Sequence, residues 1–292
     1  MEAVRTIHHF EPGRPHWWQW LTVLSLDAPL VAVAWQGALA RAANVPWRLH
    51  HGLVLGASVW LAYAADRWIE GWRLEPAQVL TQRHWFYLRW RWPVAIMWLG
   101  VLGAALVMAM TLLTRRELAF GLLLLVPVLV YLLSHQLVHA DRPWRAPKEI
   151  CVAVLFAGGA VCFAAAHDVG VLVTVAGPLG LFALLCFADC ALISVWENEV
   201  DRSHGQTSLA LQFPEGHAFV RILPWVIAAA GAARVGAGHA PAVTGCAAVS
   251  GFLLGAIDLG HRRLGRQLAR VLADVALMTP FVLLLWERIF AA

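Results

Sequence analysis

The sequence predicts an all-α fold, a polytopic membrane helical bundle of about nine transmembrane helices. Of its 292 residues 60% are hydrophobic and only 14% are charged. Mean hydropathy is +0.66, and apolar runs of membrane-spanning length recur along the chain. Soluble domains carry about 25% charged residues, so this composition excludes an ordinary soluble globule. It also excludes a disordered chain. The five cysteines are scattered and the +4 net charge is not gathered into a basic domain, which excludes a disulfide scaffold and a nucleic-acid partner.

Crossing a bilayer core of about 30 Å takes about 20 mostly apolar residues at a rise of about 1.5 Å each. Residues 1–16 are polar, are not followed by a small-residue cleavage site, and read as a cytoplasmic N-terminal segment rather than a signal peptide. Residues 17–292 read as a single transmembrane bundle. The expected spans run 17–42, 49–69, 93–113, 118–138, 149–166, 170–197, 219–236, 241–260 and 268–290. Tryptophans mark many of their ends, as at Trp17, Trp18 and Trp20, Trp90 and Trp92, Trp196 and Trp286. An indole there buries its ring and keeps its N–H wet, so most of the 16 tryptophans are read as interface anchors or helix-packing groups. The fifth span is short and contains Gly158 and Gly159, the seventh is rich in Ala and Gly, and the eighth carries Gly251 and Gly255. Small residues of this kind suit close helix packing.

Orientation follows from the basic residues. Sixteen of the 22 fall on the side of the N-terminus, against Arg41, Arg48, Arg115, Arg116, Arg234 and Arg288 on the other. This places the N-terminus and the loops 66–92 and 197–218 in the cytoplasm.

Those two loops hold the informative acids. The second span ends in YAADRWIEG, with Asp66 and Glu70 four apart on one helix face. The sixth ends in WENEVDRSHGQTS, with Glu197 and Asp201 four apart and Asn198 and Glu199 between them. Two facing acidic pairs suit Mg²⁺ held between protein and a diphosphate, because Mg²⁺ takes one or two carboxylates plus phosphate oxygens and water. Arg67, Arg202 and Lys148, the only lysine, would meet the remaining phosphate charge. The alternative is a set of helix ends making ordinary salt bridges, since such spacing is common on helices.

With these motifs the sequence resembles the UbiA superfamily of intramembrane prenyltransferases, which have nine transmembrane helices and Asp-rich motifs after the second and sixth. Aligning the last two acids of the family's first motif, approximately NDxxDxxxD, on Asp66 and Glu70 puts Ala62 and Tyr63 where the family has Asn and Asp. The second motif matches Glu197, Asp201, Gly205 and Ser208, with Thr207 at a position where the family often has Lys. Lys148, opening the fifth span, resembles the family's basic residue near that helix start. The resemblance implies an integral protein of the bacterial inner membrane that uses a prenyl diphosphate, a lipophilic acceptor and Mg²⁺. Asp66, Glu70, Glu197 and Asp201 would hold the metal, with Asn198 and Glu199 as auxiliaries. Arg67, Lys148 and Arg202 would stabilise the leaving diphosphate, and an apolar cavity would shield the allylic cation. The loss of Asn and Asp in the first motif implies either a different substrate or lost activity.

Other polar residues carry weaker signals. His135 and His139, four apart, can present two imidazoles to one metal or sit at the interface. Asp27, Asp189, Asp258 and Asp274 lie in apolar runs, where a charge costs about 3 kcal/mol, so functional use is the default expectation. Asp189 lies eight residues before Glu197 and near its helix face. Cys186 and Cys190 read as small packing groups. Two further classes compete with the enzyme: a degenerate homologue binding a lipid, quinone or partner, and a transporter, which the intramembrane acids favour and the lack of an inverted repeat opposes.

Overall fold

The computed structural model describes residues 15–73, 81–137, 147–203 and 208–290, and among these all regular structure is helical. In chain order the helices are α1 (Trp20–Val23), α2 (Asp27–Ala42), α3 (Leu49–Arg73), α4 (Gln82–Arg89), α5 (Arg91–Leu112), α6 (Arg115–Leu137), α7 (Lys148–His167) and α8 (Val171–Thr174). There follow α9 (Ala176–Trp196), α10 (Asn198–Ser203), α11 (Leu209–Gln212), α12 (His217–Gly236), α13 (Pro241–Leu264), α14 (Arg266–Ala276) and α15 (Thr279–Phe290). Each of the nine expected spans is helical along most of its length.

Six helices are individually long and apolar enough to cross a membrane: α5, α6, α7, α9, α12 and α13. Two bent pairs raise the number to as many as eight among the described residues. Helix α3 is 25 residues long. It falls outside that set because His50 and His51 sit at one end and Asp66, Arg67 and Glu70 at the other. Helices α5 and α6 turn apolar side chains outward, with Leu106, Met110, Leu123 and Val130 all exposed. So large an outward apolar surface belongs against lipid, and the protein is an integral membrane protein.

The first and last spans are broken. Trp17–Val23 meets α2 at 78°, and α14 meets α15 at 42°. At the first break Ser25 has φ 54°, a left-handed conformation that ends α1. Pro29 then sits in the first turn of α2, where its missing N–H costs nothing. A break frees backbone groups that lipid cannot satisfy. Here indoles satisfy them: Trp60 Nε1 donates to the Leu24 carbonyl at 3.0 Å, and Trp35 Nε1 donates to the Leu277 carbonyl at 2.8 Å. Tyr87 donates its hydroxyl to Ser25 Oγ at 3.0 Å. Several tryptophans are therefore internal fasteners rather than interface anchors. Trp35 is fully buried and stacks on Phe182 with centroids 4.5 Å apart.

The main apolar core lies between α2, α7, α9, α12, α13, α14 and the turn before α15, and α3, α4 and α5 share a smaller one. Helices α12 and α13 approach so closely that a Cβ on Gly251 would lie 2.7 Å from the Pro224 carbonyl oxygen and one on Gly231 would lie 2.9 Å from the Ala248 nitrogen. This is the close packing expected of the eighth span. Gly255 belongs to the same face, its Cβ position lying 2.5 Å from the Trp225 ring.

Candidate active site at the motif end of the bundle

The ends of α3 and α9 come together, with α4 and the start of α14 between them. Helix α4 begins at the N-cap Thr81, whose hydroxyl accepts the His84 backbone N–H at 3.5 Å, an ordinary Thr cap. That cap aims two consecutive side chains at two different motifs. His84 Nε2 lies 3.0 Å from Glu70 Oε2, and Arg83 Nη2 donates to Glu197 Oε2 at 3.3 Å. Glu70 Oε2 also accepts from Arg67 Nη1 at 2.8 Å, and Glu197 Oε2 accepts from Arg270 Nη1 at 2.5 Å. Arg270 comes from α14, 73 residues further along the chain.

Both glutamates are thereby held ionised. Burial pushes the Glu197 carboxyl up, but Arg270, Arg83 and Arg67 outweigh it and hold it at about 2. Against the same cost of burial, Arg67 and His84 hold Glu70 well below its ordinary value. Burial drives His84 down to about 4, so it is neutral near pH 7. A carboxylate only accepts, so His84 carries its proton on Nε2. Its Nδ1 then accepts from the Thr81 hydroxyl, 2.6 Å away.

The guanidinium groups are less well served. Two of them meet the single carboxylate of Glu197. Arg83 Nε and Nη1 and Arg270 Nε are buried with no hydrogen-bond acceptor, a situation worth about 1–3 kcal/mol per group. Burial, together with the cations Arg270 and Arg67, pushes Arg83 down to about 10. The site is short of anionic oxygen. Tyr63, standing where the resemblance expects the first Asp, offers no carboxylate; the Arg67 guanidinium lies 5.9 Å over its ring, a cation–π arrangement.

The other expected site residues divide. Asp201 is buried on α10, and Asn198 Oδ1 on the same helix is buried without a partner. Glu199 and Arg202 are exposed on α10. Asp66 acts electrostatically on Arg67. Lys148 opens α7 beside Glu149, whose Oε1 accepts the Leu209 backbone N–H at 3.0 Å. His139 lies outside the described residues, and only the backbone of His135, in the last turn of α6, belongs to them. Asp189 is buried deeper in α9, within electrostatic reach of Arg270 and Asp27, and Asp274 joins the same group. Asp258, by contrast, has a structural explanation: it accepts from Trp196 Nε1 at 2.9 Å. Cys186 lies in the core, as expected of a packing group.

As arranged, Glu70 and Glu197 do not fit as magnesium ligands. Glu70 and Glu197 each spend an oxygen on two nitrogen donors, and among the described residues no group of three or more His, Cys, Asp or Glu side chains could hold a metal. The salt-bridge alternative describes these two glutamates. Arg83, His84 and Arg270 were not among the residues the motifs single out. The first two lie inside the expected motif loop. Arg270 had a fainter signal, an arginine at the start of the last expected span with Asp274 four residues on. A separate cleft of about 270 Å³ opens at the opposite end of the bundle, lined by Trp47, Phe163 and the His51–Glu117 pair, far from both motifs.

Fold and site together define an integral membrane helical bundle with a charged cluster at one mouth. The chain is similar to the apo structure of a UbiA homolog from Aeropyrum pernix K1, with a TM-score of 0.61 over 91% of this chain and 98% of that one, at 19% sequence identity. The fold is UbiA-like, and at that identity the fold is the property shared. No protein-family model matches the sequence, and no curated protein matches it.

Proposed function

We propose that the protein is an intramembrane prenyltransferase of the UbiA type, oriented with the motif end in the cytoplasm of a bacterial cell. It binds an isoprenoid diphosphate with the head at the Arg67–Arg83–Arg270 cluster and the chain in the apolar interior. The observation that carries this reading is the set of buried guanidinium N–H groups without acceptors, at the mouth of a UbiA-like bundle. Guanidinium forks match phosphate oxygens in geometry and charge. In the reaction the allylic C–O bond breaks, its electron pair leaves on the diphosphate, and the arginine N–H groups stabilise that charge as it develops. The acceptor's nucleophilic atom forms the new bond to the allylic carbon and sheds a proton. Asp189, buried on α9, offers a carboxylate in the interior to receive it. Lys148 and Arg202 add positive field around the mouth.

The neutralisation of Glu70 and Glu197 by arginine and histidine favours a second reading, a UbiA-like protein that binds an isoprenoid lipid without turning it over. The two are separated by incubating purified protein in nanodiscs with allylic prenyl diphosphates of graded length and with aromatic acceptors. The enzyme reading expects pyrophosphate release that Arg83→Gln and Arg270→Gln abolish. Absence of release across all chain lengths and acceptors, with an isoprenoid lipid retained in native mass spectrometry, would leave the second.

A further inference from the structure

The positions where the motif spacing expects metal ligands hold arginine–glutamate pairs instead, and the arginines have donors to spare. Glu197 Oε2 engages Arg270 Nη1 at 2.5 Å and Arg83 Nη2 at 3.3 Å. Arg83 Nε and Nη1 and Arg270 Nε remain buried and unpaired. These two side chains come from segments far apart in the chain and converge on one oxygen. They form a fork with more hydrogen-bond donors than the one carboxylate oxygen can serve. A phosphoryl group, with three oxygens around one centre, can serve it. Building on the reading of the site as a prenyl-diphosphate head site, we infer that Arg83 and Arg270 stand in for the divalent cation: the phosphoryl head is held by direct guanidinium hydrogen bonds without metal, and Glu197 is the internal anion that competes for the fork when the site is empty.

The inference gives Glu197 the opposite sign from a metal ligand. Binding of a non-hydrolysable prenyl thiodiphosphate is measured by isothermal titration in detergent, once with EDTA and once with Mg²⁺. The expected result is the same affinity in both. Arg83→Gln should weaken it by roughly 10- to 100-fold, the scale of lost hydrogen bonds to a charged group. Arg83→Lys, which keeps the charge and loses the fork, should lose most of it too. Glu197→Gln should tighten metal-free binding by roughly tenfold. Binding that requires Mg²⁺ overturns the inference and leaves the prenyltransferase reading standing; so does loss of binding in Glu197→Gln protein shown to be folded by its tryptophan fluorescence. No binding under either condition overturns the prenyl-diphosphate reading itself and the inference with it. The wild-type comparison with and without EDTA decides the matter even where a variant does not fold.

Discussion

Replacing Glu197 by Gln tests the energetics of the cluster at its most constrained point. The carboxyl is held at about 2 against an ordinary value of 4.5, and at about 1.4 kcal/mol per pH unit this corresponds to about 3 kcal/mol favouring the folded, ionised form. A second route agrees. Glu197 is 7% exposed and bonded to two arginines, and removing one partner of a buried ion pair costs about 3–5 kcal/mol. The variant should therefore unfold about 3 kcal/mol more easily than wild type near neutral pH, followed by tryptophan fluorescence during SDS titration in mixed micelles. The depressed value also sets the pH dependence. The stabilisation is fully present above about pH 4.5 and is lost as pH falls toward 2. Wild type should converge on the variant over that window. A residual acid limb remains in the variant, because Glu70 is held low by Arg67 and His84, and His84 itself must take up a proton near 4. A difference below about 0.5 kcal/mol, the range of a surface substitution, or identical acid limbs in the two proteins, would refute the reasoning.

Three further outcomes are expected from the same structure. In a double-mutant cycle, Glu197→Gln and Arg270→Gln should couple by about 0.5–3 kcal/mol, with the double variant less destabilised than the sum of the singles; additivity would mean that the 2.5 Å contact is absent in the membrane. Gly251→Ala places a Cβ 2.7 Å from the Pro224 carbonyl oxygen and should cost about 1–3 kcal/mol by forcing α12 and α13 apart, seen as a lowered thermal midpoint. Trp35→Phe keeps the aromatic stack on Phe182 but strands the Leu277 carbonyl, at about 1–3 kcal/mol, and should raise hydrogen exchange around the α14–α15 bend.

Nearly all the helices were legible in the sequence, because a lipid-spanning segment has a simple local rule: enough consecutive apolar residues to cross the hydrocarbon. The breaks in the first and last spans were not, since hydropathy averages over Ser25 and the Leu277 turn without registering them. Their stability depends on Trp60 and Trp35, indoles from other helices, and a sequence window cannot assign a donor to a carbonyl on another helix. The tryptophans show the same limit. Trp17 and Trp92 are exposed as anchors should be, yet Trp35 is in the core.

At the mouth of the bundle the i, i+4 acid pairs could be located from spacing alone, because one turn of helix places them on one face wherever the helix goes. Their electrostatic fate could not. Glu197 meets Arg83 from 114 residues away and Arg270 from 73, and such partners are set by which helix ends the bundle brings together. Sequence therefore established the membrane class, the order of spans and the placement of scarce charges at one end. Packing established that two of the expected metal-binding carboxylates are already spent on arginine and histidine, and that guanidinium donors are left over beside them. The physical reason is one of range: hydrophobicity and helical periodicity act locally along the chain, whereas charge compensation in a buried site depends on distances between segments far apart in it.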